Sequence, residues 1–117
     1  MQVRKRDQTH QDFSRVKIES GLRAACWKRK IDAEEIQKLA GEIESHILDN
    51  FEKEVSSEEI GKLCMEFLRE IDQVAFVRFA SVYRSFRDAQ DFVDELTPIL
   101  KTKSKVKKKV SAKETEL

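Results

Sequence analysis

Two stretches of this chain spell out the start of a helix in full, and they commit it to a helix bundle. In Ile31-Asp32-Ala33-Glu34-Glu35-Ile36, Asp32 stands as N-cap, Glu35 closes a capping box, and Ile31 and Ile36 staple the entry of the chain. Val55-Ser56-Ser57-Glu58-Glu59-Ile60 repeats the pattern, with Ser56 as cap, Glu59 closing the box and Val55 stapled to Ile60. Behind each start runs an apolar stripe of helical period: Ile36, Leu39, Ala40, Ile43 and Ile47, then Ile60, Leu63, Cys64, Phe67, Leu68 and Ile71. Helices are therefore predicted over about 33–50 and from Ser56 to near Ile71.

A helix ahead of these is predicted over about 15–28. Ser14 is its N-cap, Phe13 and Ile18 its staple, and Ile18, Leu22, Ala25 and Cys26 its inward face. After Asp72, a candidate cap, the segment from Val74 to Tyr83 is apolar nearly all round, which predicts the central and most buried helix. Arg78 is the one charge in it, and a charge near a core is expected to find a carboxylate. Asp88 and Asp91 open a short last helix carrying Phe92, Val93 and Leu96, which Pro98 should end. At the N-terminal edge, residues 2–6 and 11–13 read as two short strands. Such a hairpin is marginal alone, so it should pack on the helices or gain a strand from Glu54-Val55. The fold class is mainly α within α+β, with four to five helices.

The 117 residues allow one core. Charge is divided unevenly along the chain: residues 1–100 hold 16 basic and 20 acidic side chains, and residues 101–117 hold seven Lys and two Glu. A folded domain over 1–100 and a disordered basic tail over 101–117 are expected. An acidic body is a poor footprint for nucleic acid. No apolar run is long enough to span a membrane and no secretory h-region follows Met1, so the expected location is cytoplasmic. Cys26 and Cys64 stand far apart on helical stripes, which suits core positions rather than a redox pair or zinc ligands. His10 and His46 have no patterned partner, and the helix carboxylates are explained by capping and dipole complementarity, so no enzyme chemistry is expected.

The chain also lacks a Gly-rich phosphate loop, so any bound phosphate would have to be held by side-chain cations. Lys5 and Arg6 on the first strand and Lys17 in the first turn of the first helix could converge on one phosphate group beside that helix N-terminus.

The stretch Val3-Arg4-Lys5-Arg6-Asp7 followed by Phe13-Ser14-Arg15-Val16-Lys17-Ile18 resembles the opening of the ATP-cone domain. Val55 to Gly61 and Asp72 to Phe86 resemble the corresponding segments of the NrdR family of bacterial transcriptional repressors. The resemblance covers about residues 3–96 and implies a helical bundle capped by a small three-stranded sheet. It further implies an effector pocket for ATP or dATP between the sheet and the first helix. By matching position, Val3 would contact adenine, Lys5, Arg6 and Lys17 would hold phosphates, and Tyr83 would close the pocket. Gln11 stands where the family has a Glu that contacts the nucleoside; the charge goes but an acceptor stays. Gln8 stands where the family has a turn Gly of positive φ, so a rearranged turn helped by Asp7 is expected.

The resemblance implies a homo-oligomer whose state answers to the nucleotide and controls repression of ribonucleotide reductase genes. NrdR repressors begin with a zinc ribbon of two Cys-x-x-Cys pairs. No such pair precedes Val3, so zinc is not expected in this chain, and DNA is expected as a partner only through such a ribbon. The alternative is a free-standing ATP-cone that acts as an allosteric or protein-interaction module without DNA binding of its own.

Overall fold

In the computed structural model of this chain, the first of the two written-out helix starts is closed by a full capping box and the second by its cap residue. Asp32 accepts a hydrogen bond from the Glu35 N–H at 2.8 Å, and the Glu35 carboxylate accepts from the Asp32 N–H at 3.2 Å. The Ser56 hydroxyl accepts from the Glu59 N–H at 3.1 Å. The structure describes residues 1–84 and 86–101. The basic tail expected over 101–117 lies outside them save for its first residue.

Along the chain come β1 (Gln2–Arg4), β2 (His10–Asp12), α1 (Arg15–Ala25), α2 (Ala33–Asn50), β3 (Glu54–Ser56), α3 (Ser57–Ile71), α4 (Gln73–Arg84) and α5 (Ala89–Lys101). The strands make one sheet in the order β2-β1-β3, with β1 antiparallel to β2 and parallel to β3. Glu54-Val55 thus supplies the third strand. Strand alternation puts Gln2, Arg4, His10 and Glu54 on one face of the sheet and Val3, Gln11 and Val55 on the other. The first face is a polar ladder in which Glu54 accepts from Arg4 at 2.8 Å and is hydrogen-bonded to His10 at 2.6 Å. The His10 hydrogen bond, with Arg4 adding, holds the Glu54 carboxyl below its ordinary value. The second face meets the helices, and Val55 is buried there.

The core joins Ile18 and Leu22 of α1, Ile36, Leu39, Ile43 and Ile47 of α2, Leu63, Cys64, Phe67 and Leu68 of α3, Phe76 of α4 and Leu96 of α5. Both cysteines are buried and unpaired, and burial pushes the Cys64 thiol up to about 12. Among the described residues, no helix is long and apolar enough to cross a membrane.

Three local expectations are revised. First, α4 packs against α1 and α3 but is not buried all round. Its core residues are Ala75, Phe76 and Ala80, while Val74 and Val82 are exposed. Positions 74, 78 and 82 share one helix face, and all three are exposed. Second, Arg78 on that face finds carbonyls rather than a carboxylate: its guanidinium donates to Trp27 O at 2.5 Å and to Ala25 O at 3.3 Å. These oxygens lie at and just past the C-terminal end of α1, where a cation satisfies unpaired acceptors and the negative end of the helix dipole. Third, α5 runs through Pro98 to Lys101. Proline's φ is itself helical, so a helix can pass through it at the loss of one hydrogen bond.

In the β1–β2 turn, Gln8 adopts φ 73°, the left-handed region for which the resemblance implies a glycine. Asp7 holds the turn by accepting from the Thr9 N–H at 3.0 Å and from the Thr9 hydroxyl at 2.6 Å. A side chain with a Cβ in this region carries about 1–2 kcal/mol of strain, from which glycine's greater chain entropy subtracts part. Gln8→Gly is therefore expected to stabilise the domain by about 0.5–1 kcal/mol. Urea unfolding measures this, and a destabilised variant would mean that the Gln8 side chain contributes more than its backbone strain costs.

Candidate functional site

The inner face of the sheet, the N-terminal turns of α1 and α3, and the last turn of α4 enclose a cavity of about 250 Å³. Its floor is apolar, made by Ile18, Ile60, Cys64 and Phe79, with Val3 and Phe13 toward the sheet. Its rim is polar and includes Lys5, Gln11, Asp12, Lys17 and Ser57. The volume lies just under the range of about 300–1,000 Å³ usual for small-molecule sites, and apolar walls with a few placed polar groups are their usual lining.

Local sequence explains why these groups meet. Val3 and Gln11 are register partners in β1 and β2, so the pleat points both toward the helices. Lys17 lies one turn into α1 and its ammonium donates to Gln11 Oε1 at 2.8 Å. The N-terminus of α1 differs from those of α2 and α3. Ser14 has the extended N-cap conformation but accepts no capping hydrogen bond, and the first turn contains no acidic residue. Both α2 and α3 carry a capping side chain and two Glu in the first turn. The amide donors and positive dipole end of α1 are thus left without an anionic side chain.

Of the six residues expected at the site, Val3, Lys5, Gln11, Lys17 and Tyr83 line this cavity. Arg6 is held to one side. Its guanidinium lies 5.6 Å from the centre of the Tyr83 ring and donates to the Tyr83 carbonyl at 3.2 Å. Tyr83 is itself fixed by its hydroxyl, which donates to Glu58 O at 2.7 Å, and by stacking on Phe79 with ring centres 6.2 Å apart. Burial pushes the Tyr83 phenol above its ordinary value.

Gly61 was not singled out by sequence reasoning, yet it decides where Tyr83 can sit. A Cβ at position 61 would overlap the Tyr83 ring, lying 2.6 Å from Cδ1 and closer still to Cε1 and Cζ. An isolated glycine inside an otherwise regular amphipathic helix was the available signal.

The ATP cone domain profile matches residues 1–89 of this chain. The chain belongs to the ATP-cone family. Among curated relatives, a transcriptional repressor NrdR of Acetivibrio thermocellus is 45% identical over 101 residues, covering 86% of this chain and 67% of the relative. An NrdR of Agathobacter rectalis is 48% identical with the same coverages. An NrdR of Acidobacterium capsulatum is 41% identical over 111 residues, covering 95% of this chain and 66% of the relative. The chain thus spans about two thirds of the length of the curated relatives it matches, and its ATP-cone is of the NrdR type. The relatives are named repressors, so the family role is regulatory and not enzymatic. Among the described residues, no group of three or more His, Cys, Asp or Glu side chains could hold a metal ion.

Proposed function

We propose that this domain senses the adenine nucleotide pool, takes ATP or dATP into the cavity between sheet and α1, and thereby regulates an NrdR-like repressor of ribonucleotide reductase genes. The observation that carries this reading is the pairing of an apolar floor with cations on the rim and an uncapped helix N-terminus beside them. The base would lie against Val3, Ile18 and Ile60, and Tyr83 would close over it. The phosphates would lie at the rim with Lys5 and Lys17, near the first-turn amides of α1, where charge-assisted hydrogen bonds are strongest. Arg6 would join them on leaving Tyr83. Gln11 supplies an acceptor for the sugar, already within hydrogen-bond reach of Lys17.

Regulation would run through self-association. Two nucleotides can drive different assemblies only if they stabilise them unequally, and a single sugar hydroxyl suffices if a buried polar group is left unpaired without it. The exposed Val74 and Val82 of α4, beside exposed Trp27, are suited to meet a second copy. Specific DNA recognition would belong to a zinc ribbon outside these residues.

Calorimetry with ATP and dATP tests the reading. Micromolar affinity, on the order of 8 kcal/mol, is expected, and absence of heat with both nucleotides would overturn it. Lys17→Ala is expected to weaken binding about tenfold, the usual worth of one charge-assisted contact, whereas Lys38→Ala on α2 should leave it unchanged. Equal losses from the two substitutions would place phosphate binding elsewhere. Light scattering on apo, ATP-bound and dATP-bound chains reads the assembly, and one identical mass throughout would refute regulation by self-association.

A further inference from the structure

The proposed function makes Arg6 a phosphate ligand, yet in this structure its side chain is engaged at the C-terminal end of α4. The Tyr83 carbonyl lies in the last turn of that helix, among the oxygens that have no partner within the helix. Arg6 fills that vacancy from β1's end of the chain, 77 residues away, while its guanidinium covers the ring of the same tyrosine. The next residue, Arg84, reaches the other way: its Nη1 donates to Glu95 of α5 at 2.8 Å. Its Nε is buried and, among the described residues, has no acceptor. Beyond it, Phe86 and Phe92 meet edge to face with centres 5.1 Å apart and close the α4–α5 junction. The junction is therefore held at Tyr83 from the sheet side and at Arg84 from the α5 side, and the second hold is incomplete.

We propose that Arg6 is a latch between the nucleotide cavity and the α4–α5 junction: a phosphate arriving over Lys5 draws the guanidinium off Tyr83, and the end of α4 loosens with the start of α5. The chemistry of the competition favours release. Against Arg6 stands one neutral carbonyl at 3.2 Å and a ring face. A phosphate offers charged oxygens in a geometry the guanidinium fork can engage twice, and such contacts are shorter and stronger. Lys5 adjoins Arg6 in sequence and lines the cavity, so an anion bound there is within reach of the neighbouring side chain without any rearrangement of the sheet. A second groove, lined by Arg4, Lys5, Arg6 and Gln8 on one side and Ser57 and Glu58 on the other, gives Arg6 space to turn. In this state Arg6 is a positioning residue for Tyr83, and on binding it becomes a ligand. This inference rests on the nucleotide reading above and names the element through which that site would act.

Hydrogen exchange on the full chain, read by peptide, separates the two layers. In the wild type, saturating ATP, with saturation set by calorimetry, is expected to speed exchange over residues 83–97 by about fivefold, as loss of one ordinary hydrogen bond does. In Arg6→Gln the same peptides should already exchange faster without nucleotide, and ATP should add nothing. Peptides of α2 serve as control and should exchange alike in all samples. ATP heat with unchanged or slowed exchange over 83–97 would overturn the latch and leave the nucleotide reading standing. So would nucleotide-free Arg6→Gln exchanging like the wild type. Absence of ATP heat would overturn both, and is recognised by the calorimetry alone.

Discussion

Phe76→Ala is expected to remove about 4 kcal/mol of stability, the usual cost of truncating a buried phenylalanine. Among the described residues Phe76 is the largest fully buried side chain, and it stands with Ala75 and Ala80 on the buried face of α4. The neighbouring helices are fixed by their own caps and stripes, so they can collapse only partly into the space it leaves. A domain of this size has about 5–15 kcal/mol in total, and the midpoint of thermal unfolding should fall by about 20 °C. Thermal unfolding followed by circular dichroism checks it. Val82→Ala, on the exposed face of the same helix, should cost under about 0.5 kcal/mol. Comparable losses at the two positions would mean that α4 is oriented differently from the packing described here.

Gly61→Ala carries the second largest expected effect, and it has the opposite sign from what helix propensity alone gives. Alanine in an open helix interior should stabilise by about 1 kcal/mol relative to glycine. Here the added methyl would occupy the seat of the Tyr83 ring. Either the ring leaves, giving up its hydrogen bond to Glu58 O and its stacking on Phe79, or α3 and α4 move apart. A net loss of about 2 kcal/mol is expected, as for overpacking elsewhere. Nucleotide affinity should fall by about tenfold or more as the cavity loses its closing wall. Urea unfolding and calorimetry on one preparation read both effects. A more stable variant with unchanged binding would show that Tyr83 needs no seat on Gly61.

The relation between Gly61, Tyr83 and Arg6 also shows where sequence reasoning stops. Lys5 and Lys17 were recognisable because each lies beside a local landmark, a strand end and the first turn of a helix. Arg6 was recognisable as a cation, and the resemblance implied a phosphate for it. Its engagement with a carbonyl of α4 leaves no local trace. Arg78 misleads in the same way: a lone arginine in an apolar stretch implies a counter-charge, but the acceptors were backbone oxygens at and beyond the end of α1. Backbone groups are present at every position and so carry no compositional signal.

The sequence by itself determined the helices, their starts and the core stripes. Capping boxes, staples and 3.6-residue periodicity are set among residues at most five apart, before any tertiary contact forms. The turn at Gln8 is likewise held by near neighbours, Asp7 and Thr9. Only the tertiary structure decided which face of α4 is covered, where Arg6 and Arg78 place their charges, and that Gly61 shapes the cavity. These depend on which elements become neighbours, and Arg6 and Tyr83 meet beside the site from positions 77 residues apart. Whether a side chain on a mostly apolar helix is buried depends on the surface it meets, and no residue within one turn of it holds that information.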